Sequence, residues 1–479
     1  METKKKLGFK EKFSYGLGAV GKDMVYMLSA SYILYYFQDT LGVSAAAMAV
    51  ILLAARIFDA FNDPIMGLIV AKTKTKMGKF RPWLLIGTIT NAVILFLMFA
   101  APPALNGAGL VAYAAITYIL WGVTYTMMDI PYWSMIPAFT EGGKEREGLT
   151  TLARSCAGVG SALISVVTMI SVKAIGKAVA GTGALDKQIE MTGFKWFTAI
   201  IAVLFILFIV ITVINVKEES TVDMKSASVK DMFKALLHND QAITVVISIV
   251  LINCSIYLTS NLVIYFFKYD FGGSDWQNAY TLFTTFGGGI QILAIMLLYP
   301  LLRNALKLSN IQIFYTALSS AIIGYVVLLV LAFTKMSNVI LLFIPGFFIF
   351  AANGVLSTLT TVFLANTCDY GLVKNGRSDE SVIFSMQTFV VKLASGVSVF
   401  IAGIVLQIFQ LKKDTADVVS GFDYSTAVPE SSKIGLRMTM TIIPIIGLFA
   451  AILWFKKHYI LNDAKLEEIN NEIAEKKLK

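Results

Sequence analysis

Hydrophobic residues occupy long uninterrupted stretches of the chain, and short polar connections separate one stretch from the next. Each stretch holds about 20 residues or more, the length that an α-helix needs to cross the hydrocarbon core of a bilayer. Because a helix pairs its own backbone groups, it is the structure that such stretches predict. Twelve spans follow from the pattern, at 13–37, 45–71, 83–102, 109–137, 150–172, 195–216, 241–267, 277–302, 309–334, 337–366, 381–411 and 434–455.

The arrangement of the spans predicts an all-α polytopic membrane protein with two six-helix bundles. A longer charged connection divides six spans from the next six, a plan shared by many secondary transporters. The expected organisation is an N-terminal segment at 1–12, a first bundle at 13–216, a central loop at 217–240, a second bundle at 241–455 and a tail at 456–479. The tail is predicted to form an amphipathic helix.

Composition narrows the class of protein further. The chain is 57% hydrophobic and 15% charged, which excludes a disordered chain, a disulfide scaffold and an ordinary soluble enzyme. Most of the 40 lysines and arginines lie at the termini and in connections on one side of the spans. The positive-inside rule therefore places both termini, the central loop and the tail in the cytoplasm, with the spans in the cell membrane. The net charge of +9 reflects this topology, and nucleic acid is not an expected partner.

Charged residues inside the spans are the most informative ones. An unpaired charge at the centre of a membrane helix costs about 3 kcal/mol, so such groups are expected to line a cavity and to pair across it. A purely structural network of ion pairs is the alternative. The residues are Lys22, Asp23, Arg56, Asp59, Asp63, Asp129, Arg154 and Lys392.

Asp59 and Asp63 lie in the segment RIFDAFNDP (56–64) and share one face of a helix, because they are four residues apart. Two carboxylates this close cannot both ionise at low cost in a dry cavity. A bound Na⁺ or Li⁺, or a shared proton, removes the repulsion, and Asn62 adds an amide oxygen. The alternative is that both acids simply neutralise Arg56 and Lys392.

Tyr125, Asp129 and Trp133 recur at intervals of four residues and form one stripe on the fourth span. Carboxylates accept hydrogen bonds from sugar hydroxyls, and an aromatic face covers the apolar side of a sugar ring. The stripe therefore favours a sugar site over plain packing. In the eleventh span, Thr388 and Lys392 share a face and follow Gln387; packing is the alternative for the two uncharged residues.

The energy source is expected to be an ion gradient. No Gly-Lys pair is followed by Ser or Thr, so the chain has no Walker A loop. Both histidines, His238 and His458, lie outside the predicted spans, so a transported proton would have to bind a carboxylate. No cofactor is expected beyond the coupling cation.

Seven segments carry a closer likeness: FSYGLGAVGKD (13–23), RIFDAFNDPIMG (56–67), MGKFRPWLLIGT (77–88), YILWGVTYTMMDIPYWSMIP (118–137), NDQ (239–241), CDYG (368–371) and SMQTFVVK (385–392). They resemble the melibiose carrier and its relatives, the glycoside–pentoside–hexuronide:cation symporters of the major facilitator superfamily. The resemblance implies the twelve-helix major facilitator fold, in which cation and sugar move together by alternating access. It implies import of a glycoside, with a galactoside such as melibiose as the first expectation, and a cytoplasmic regulatory protein is a further expected partner.

The resemblance also assigns roles to residues by position. The implied cation ligands are Asp59, Asn62, Asp63 and Thr126. The implied sugar-binding residues are Lys22, Asp23, Tyr125, Asp129, Trp133, Arg154, Gln387, Thr388 and Lys392. The implied cytoplasmic gating network is Arg146, Asp369, Arg377 and Glu380.

Three departures from the family pattern accompany this likeness. Ser357 falls where melibiose carriers place a tryptophan that faces the sugar, which weighs against melibiose itself. Asn366 stands at the position where melibiose carriers have an aspartate of the cytoplasmic charge network. The segment KTKTKMGKFR lacks the acidic residue that is usual in the general facilitator signature. A pentoside or glucuronide symporter, a cation-dependent carrier of lipid-like substrates and a membrane sensor are the rival interpretations.

Overall fold

The computed structural model describes residues 7–139, 143–218, 237–334, 338–375, 380–411 and 421–478. Within these ranges the chain is helical almost throughout, and the β-type pairing is limited to an isolated bridge between Thr75 and Gly78. The predicted all-α polytopic fold is therefore confirmed.

The first half of the chain contributes six long helices, which follow the first six predicted spans in order. They are α1 (Phe9–Tyr35), α2 (Ala45–Lys72), α3 (Arg81–Phe99), α4 (Gly107–Ser134), α5 (Gly143–Ala180) and α6 (Asp186–Asn215). A short helix, Ile136–Phe139, follows α4.

The second half repeats this plan and adds a tail. Its helices are α7 (Asp240–Tyr265), α8 (Trp276–Leu293), α9 (Asn310–Ala332), α10 (Val339–Asn375), α11 (Glu380–Ile408), α12 (Glu430–His458) and the tail helix α13 (Asp463–Leu478). Two π-helical turns, Ala294–Leu298 and Leu301–Ala305, come after α8.

The helices group into two compact units, one with α1 to α6 and the other with α7 to α13. In the first unit α1 packs against α5 and α6, and in the second unit α7 packs against α11 and α12. The opening helix of each unit thus contacts the last two membrane helices of the same unit. Apolar burial against these neighbours, rather than helix propensity alone, stabilises such helices.

Eleven segments of the described residues are long and apolar enough to cross a membrane. Helix α1 is the exception among the long helices because Lys22 and Asp23 interrupt its apolar sequence. Its side chains are nevertheless enclosed, since Tyr15, Val25 and Leu28 are all 0% exposed. The charged centre of α1 therefore lies inside the first unit.

Some helices extend well beyond their predicted spans. The prediction of 150–172 corresponds to Gly143–Ala180, and the prediction of 337–366 corresponds to Val339–Asn375. Hydropathy detects only the apolar stretch, whereas the backbone hydrogen bonds of both helices continue into the residues that follow it.

In both units the opening helix ends in the same way, with a π-helical turn followed by a glycine of positive φ. Tyr36–Thr40 and Phe266–Phe271 are π-helical turns that continue α1 and α7. Each leads to a glycine in the left-handed region, Gly42 with φ 85° and Gly272 with φ 70°. A residue with a side chain is disfavoured there, so glycine ends the helix at matching places.

Candidate functional site

Helices α1 and α4 bring Lys22, Asp23 and Asp129 together in the first unit. The Nζ atom of Lys22 lies 2.8 Å from a carboxylate oxygen of Asp23 and 2.8 Å from one of Asp129. The Lys22 side chain is 4% exposed, whereas those of Asp23 and Asp129 are 19% and 28% exposed. The ammonium group is thus enclosed, and both carboxylates keep an open side that can accept further hydrogen bonds.

Aromatic residues surround this ion pair. Nε1 of Trp133 donates to Asp129 at 3.2 Å, and Lys22 donates to the hydroxyl of Tyr125 at 3.4 Å. The guanidinium of Arg154 lies 4.1 Å from the centre of the Trp133 ring, at the distance of a cation–π contact. We call these residues the lysine cluster: Lys22, Asp23, Tyr125, Asp129, Trp133 and Arg154.

A second group of ionisable residues joins α2 to α4. Nη1 of Arg56 lies 3.3 Å from Oδ2 of Asp59, and both side chains are buried. The hydroxyl of Thr126 donates to Asp63 at 3.0 Å. Together with Asn62, these residues form what we call the arginine cluster: Arg56, Asp59, Asn62, Asp63 and Thr126.

The backbone of α4 makes room for this cluster at Gly122. A Cβ atom at that position would lie 2.7 Å from Oδ1 of Asp59, closer than side-chain contacts allow. Gly122 and Thr126 are one turn apart on α4, and they meet Asp59 and Asp63, which are one turn apart on α2. Each carboxylate of α2 therefore faces a residue of α4 that leaves room for it or donates to it: Gly122 faces Asp59, and Thr126 faces Asp63.

The donor set of the arginine cluster fits a hard monovalent cation. Carboxylate and hydroxyl oxygens are hard ligands. The amide nitrogen of Asn62 is buried without a hydrogen-bond partner in the described part of the chain, so this amide is available to turn and offer its oxygen. Among the described residues, no group of three or more His, Cys, Asp or Glu side chains could hold a metal ion.

Tyr26 of α1 lies beside the aromatic rings of α4, between residues of the two clusters. Its ring centre is 5.5 Å from that of Tyr125 and 6.3 Å from that of Trp121, and the Arg56 guanidinium lies 6.0 Å from it. Sequence reasoning missed Tyr26 and Trp121 because aromatic residues in apolar spans usually serve packing. The sequence feature that could have identified Trp121 is its distance of four residues from Tyr125, which places both on one side of α4.

In the second unit, α11 carries the remaining predicted sugar-binding residues. Nε2 of Gln387 donates to the hydroxyl of Thr361 on α10 at 3.2 Å. Lys392 is partly exposed, and the Thr388 side chain lies outside the described part of the structure. Thr361, which was not predicted, is one turn from Ser357, and both are exposed.

Of the predicted gating network, Asp369 is described and is exposed on α10. Arg377 and the side chains of Arg146 and Glu380 lie outside the described residues. The ion pair that the structure does show nearby joins Lys374 to Asp240 at 2.6 Å, with Tyr370 donating to the same carboxylate at 3.2 Å. Its partners are 134 residues apart in the sequence, so no local pattern predicted it.

The short motif NDQ connects two other motif segments of the second unit. Nδ2 of Asn239 donates to the carbonyl of Thr367 at 2.7 Å, next to the CDYG motif. Nε2 of Gln241 donates to the carbonyl of His458 at 3.2 Å, and its Oε1 accepts from the backbone N–H of Ile460 at 3.0 Å. The motif therefore fixes the beginning of α7 to α10 and to the end of α12.

The segment KTKTKMGKFR, which has no acidic residue of its own, contacts the carboxylate of Glu218, after α6. Its carboxylate accepts the backbone N–H groups of Lys79, Phe80 and Arg81 at 2.6, 2.8 and 3.0 Å. In return, the Arg81 guanidinium donates to the carbonyl of Val213 at 3.0 and 2.6 Å. A carboxylate at the start of α3 and a guanidinium at the end of α6 both complement the helix dipoles.

Comparison with known proteins identifies a sugar-transport family. Residues 14–463 match the family described as MFS/sugar transport protein. The isoprimeverose transporter of Lactiplantibacillus pentosus is 26% identical to the chain, covering 97% of this chain and 92% of the relative. The putative glycoside/cation symporter YagG of Escherichia coli (strain K12) is 25% identical, with 98% and 95% covered. The raffinose carrier protein of Pediococcus pentosaceus is 25% identical, with 96% and 70% covered.

Solved structures with the same fold are membrane transporters. The nucleoside transporter NupG matches with a TM-score of 0.61 and 12% identity, covering 93% of this chain and 99% of that one. A bacterial homolog of the human lysosomal transporter Spinster matches with a TM-score of 0.63 and 11% identity, with 93% and 95% covered. At this level of identity the likeness concerns the fold alone.

Proposed function

Because the chain belongs to the MFS/sugar transport protein family, we propose that it is a symporter that imports a glycoside together with a monovalent cation. The chain is a multi-pass membrane transporter and not an enzyme, as its relatives are transporters over nearly its whole length. One observation carries the proposal: a single helix, α4, contributes both to a cluster suited to a sugar and to a cluster suited to a cation.

The lysine cluster is the proposed sugar site. Its two aspartates and two basic residues balance in charge, so a neutral sugar can bind without adding or removing charge. The open sides of Asp23 and Asp129 accept pairs of hydroxyl groups, and Trp133 offers a ring to the sugar's apolar side. For Gln387, Thr388 and Lys392 of α11, sugar binding stays a prediction from the family resemblance.

The arginine cluster is the proposed cation site. It holds two carboxylates and one guanidinium, so a single monovalent cation brings it to neutrality. Charge neutralisation of this kind lowers the cost of ionised groups inside the membrane. Na⁺, Li⁺ and H⁺ all meet this requirement, and Asp59, Asp63, Asn62 and Thr126 are the proposed ligands.

Coupling follows from the shared helix. When a cation binds, the repulsion between the carboxylates of Asp59 and Asp63 on α2 is removed, α2 and α4 are held together at Thr126, and the last turns of α4 are fixed for the sugar. By linkage, sugar binding must raise cation affinity by the same factor. We place both termini on the cytoplasmic side of the cell membrane, because most Lys and Arg residues lie in the connections on that side.

Uptake into membrane vesicles is the direct test. Melibiose, lactose, raffinose, a xyloside and a glucuronide would each be offered with and without a Na⁺ or pH gradient. The glucuronide is included because Arg154 makes no ion pair with any described residue. Uphill uptake of one glycoside under one gradient is expected, and no uptake of any sugar under either gradient would contradict the proposal.

Two variants in the same helix bundle then serve as controls for each other. Asp59→Asn is expected to abolish stimulation by the cation while sugar still binds. Asp129→Asn is expected to abolish sugar binding while the cation still binds. Uphill transport that survives in Asp59→Asn would show that coupling does not depend on the arginine cluster.

A further inference from the structure

Tyr15 of α1 and Tyr132 of α4 exchange hydrogen bonds just beside the lysine cluster. The hydroxyl of Tyr15 donates to the backbone carbonyl of Tyr132, and the hydroxyl of Tyr132 donates to the carbonyl of Tyr15 at 2.5 Å. Their rings stack with centres 4.4 Å apart and planes 10° apart. Both side chains are fully buried, so neither hydroxyl has water as an alternative partner.

The two hydrogen bonds are not equivalent. Tyr132 lies in the last turn of α4, which ends at Ser134, and carbonyls in a last turn have no partner within the helix. The Tyr15 hydroxyl therefore donates to a carbonyl at the end of a helix. Tyr15, by contrast, lies inside α1, which runs on to Tyr35, so its carbonyl also has a helical partner.

The end of α4 depends on such an outside contact because its own hydrogen bonding is interrupted. Pro131 has no N–H and removes one bond from the final turns. Those turns carry Asp129 and Trp133, both members of the lysine cluster. The part of α4 that faces the arginine cluster has a separate attachment, since Nδ2 of Asn91 donates to the carbonyl of Trp121 at 3.0 Å.

We propose that Tyr15 is a positioning residue for the sugar site: its hydroxyl caps α4 at Tyr132 and fixes the turn that presents Asp129 and Trp133. The inference rests on the proposed function, since it presupposes that the lysine cluster binds a glycoside. Close packing supports the same register of α1 against α4. A Cβ atom at Gly18 would lie 3.2 Å from the Tyr132 ring, so α1 approaches α4 tightly one turn after Tyr15.

The test compares Tyr15→Phe with Tyr132→Phe in the full-length carrier, reconstituted in lipid vesicles. Each variant loses one hydroxyl and keeps both rings, so they are matched in size and burial. Binding of the panel glycoside that the wild type transports would be measured beside binding of Na⁺ without sugar. We expect Tyr15→Phe to weaken sugar binding about tenfold, because a buried carbonyl loses its donor. Tyr132→Phe should change sugar binding by less than about threefold.

The cation measurement separates positioning from general damage. Na⁺ binding should stay within about twofold of wild type in both variants, because Asn91 holds that part of α4 separately. Equal loss of sugar binding in the two variants would overturn the proposal, as would a parallel loss of sugar and Na⁺ binding in Tyr15→Phe. If the wild type itself binds none of the sugars, the proposed function fails, and the inference fails with it.

Hydrogen exchange on the wild type provides a second measurement that needs no variant. Amides at 132–135 should exchange slowly in the sugar-free carrier, since the proposal holds that this turn is fixed before the sugar arrives. Rapid exchange there, slowed only when the sugar is added, would overturn the proposal even if Tyr15→Phe does not accumulate in the membrane.

Discussion

The lysine and arginine clusters share helix α4 and contain the same kinds of groups, yet they differ in the distances from their basic group to their carboxylates. In the lysine cluster one ammonium group lies 2.8 Å from each of two aspartates. In the arginine cluster the guanidinium lies 3.3 Å from Asp59, and Asp63 accepts from the neutral hydroxyl of Thr126. By the residues that define them, the first cluster has two basic groups for two carboxylates, and the second has one basic group for two carboxylates.

On our proposal, this difference lets the two pairs of aspartates bind different ligands. A carboxylate that is already paired with a fixed cation gains little from a second one, but it can still accept hydroxyl hydrogen bonds on its open side. Two neighbouring carboxylates that share one basic group of their cluster gain more from a mobile cation. Four predictions test this contrast, beginning with the largest expected effect.

Removing the ammonium group should disable the lysine cluster. In Lys22→Met, Asp23 and Asp129 lose their shared partner, and breaking a buried ion pair by removing one member costs about 3–5 kcal/mol. We expect sugar binding to fall more than about 100-fold and the melting temperature to drop. Lys195→Met, which removes an exposed lysine from α6, is the control and should leave both quantities unchanged.

Removing the guanidinium should have the opposite sign in the arginine cluster. In Arg56→Gln, Asp59 loses the internal group that competes with the mobile cation, so Na⁺ should bind about threefold to tenfold more tightly. Isothermal titration with Na⁺ in the absence of sugar is the measurement. Weaker Na⁺ binding in this variant would mean that Arg56 organises the site instead of competing for it.

The hydroxyl of Thr126 should contribute a smaller amount to cation affinity. Thr126→Val keeps the shape of the side chain and removes the donor to Asp63, so Na⁺ binding should weaken about tenfold. Thr117→Val is the matched control, because Thr117 is a buried threonine of the same helix whose hydroxyl donates to the carbonyl of Tyr113 at 2.7 Å. Equal effects of the two variants would remove Thr126 from the proposed ligands.

Asp423, a carboxylate outside both clusters, shows how small an effect is expected from an acidic residue that binds neither ligand. Partial burial raises the pKa of Asp423, but hydrogen bonds from the Ser425 hydroxyl and from the backbone N–H groups of Gly273 and Ser425 outweigh it and lower the pKa below its usual value. Its contribution to stability is therefore present above the unfolded pKa of about 3.9 and is lost as the pH falls through the lower folded pKa.

We expect Asp423→Asn to reduce the melting temperature by no more than about 2 °C at pH 7, because the loop is partly exposed. The difference between variant and wild type should shrink when the melt is repeated at pH 3. Transport should be unaffected at pH 7, and a loss of coupling in this variant would show that a carboxylate outside both clusters also bears on it.

The sequence predicted the helices well because each of twelve apolar stretches leaves the backbone only one way to pair its polar groups. It also located the charges of both clusters, since buried ionisable residues stand out in apolar spans. It did not predict Tyr15 and Tyr132, because tyrosines occur widely in such spans and their partners are backbone atoms. Nor did it predict that Glu218 binds the α2–α3 connection, since the contact spans more than 130 residues of chain.

Helix α4 is attached to different neighbours along its length. The portion with Gly122 and Thr126 is attached through Asn91, which donates to the carbonyl of Trp121. The portion with Asp129 and Trp133 lies on either side of Pro131 and is attached to α1 through the Tyr15 hydroxyl. Thr126 and Asp129 are separated by about 4.5 Å along the axis. This distance is less than one helical turn, so a rotation of the first portion reaches the second directly, and the proposed coupling acts over less than one turn of α4.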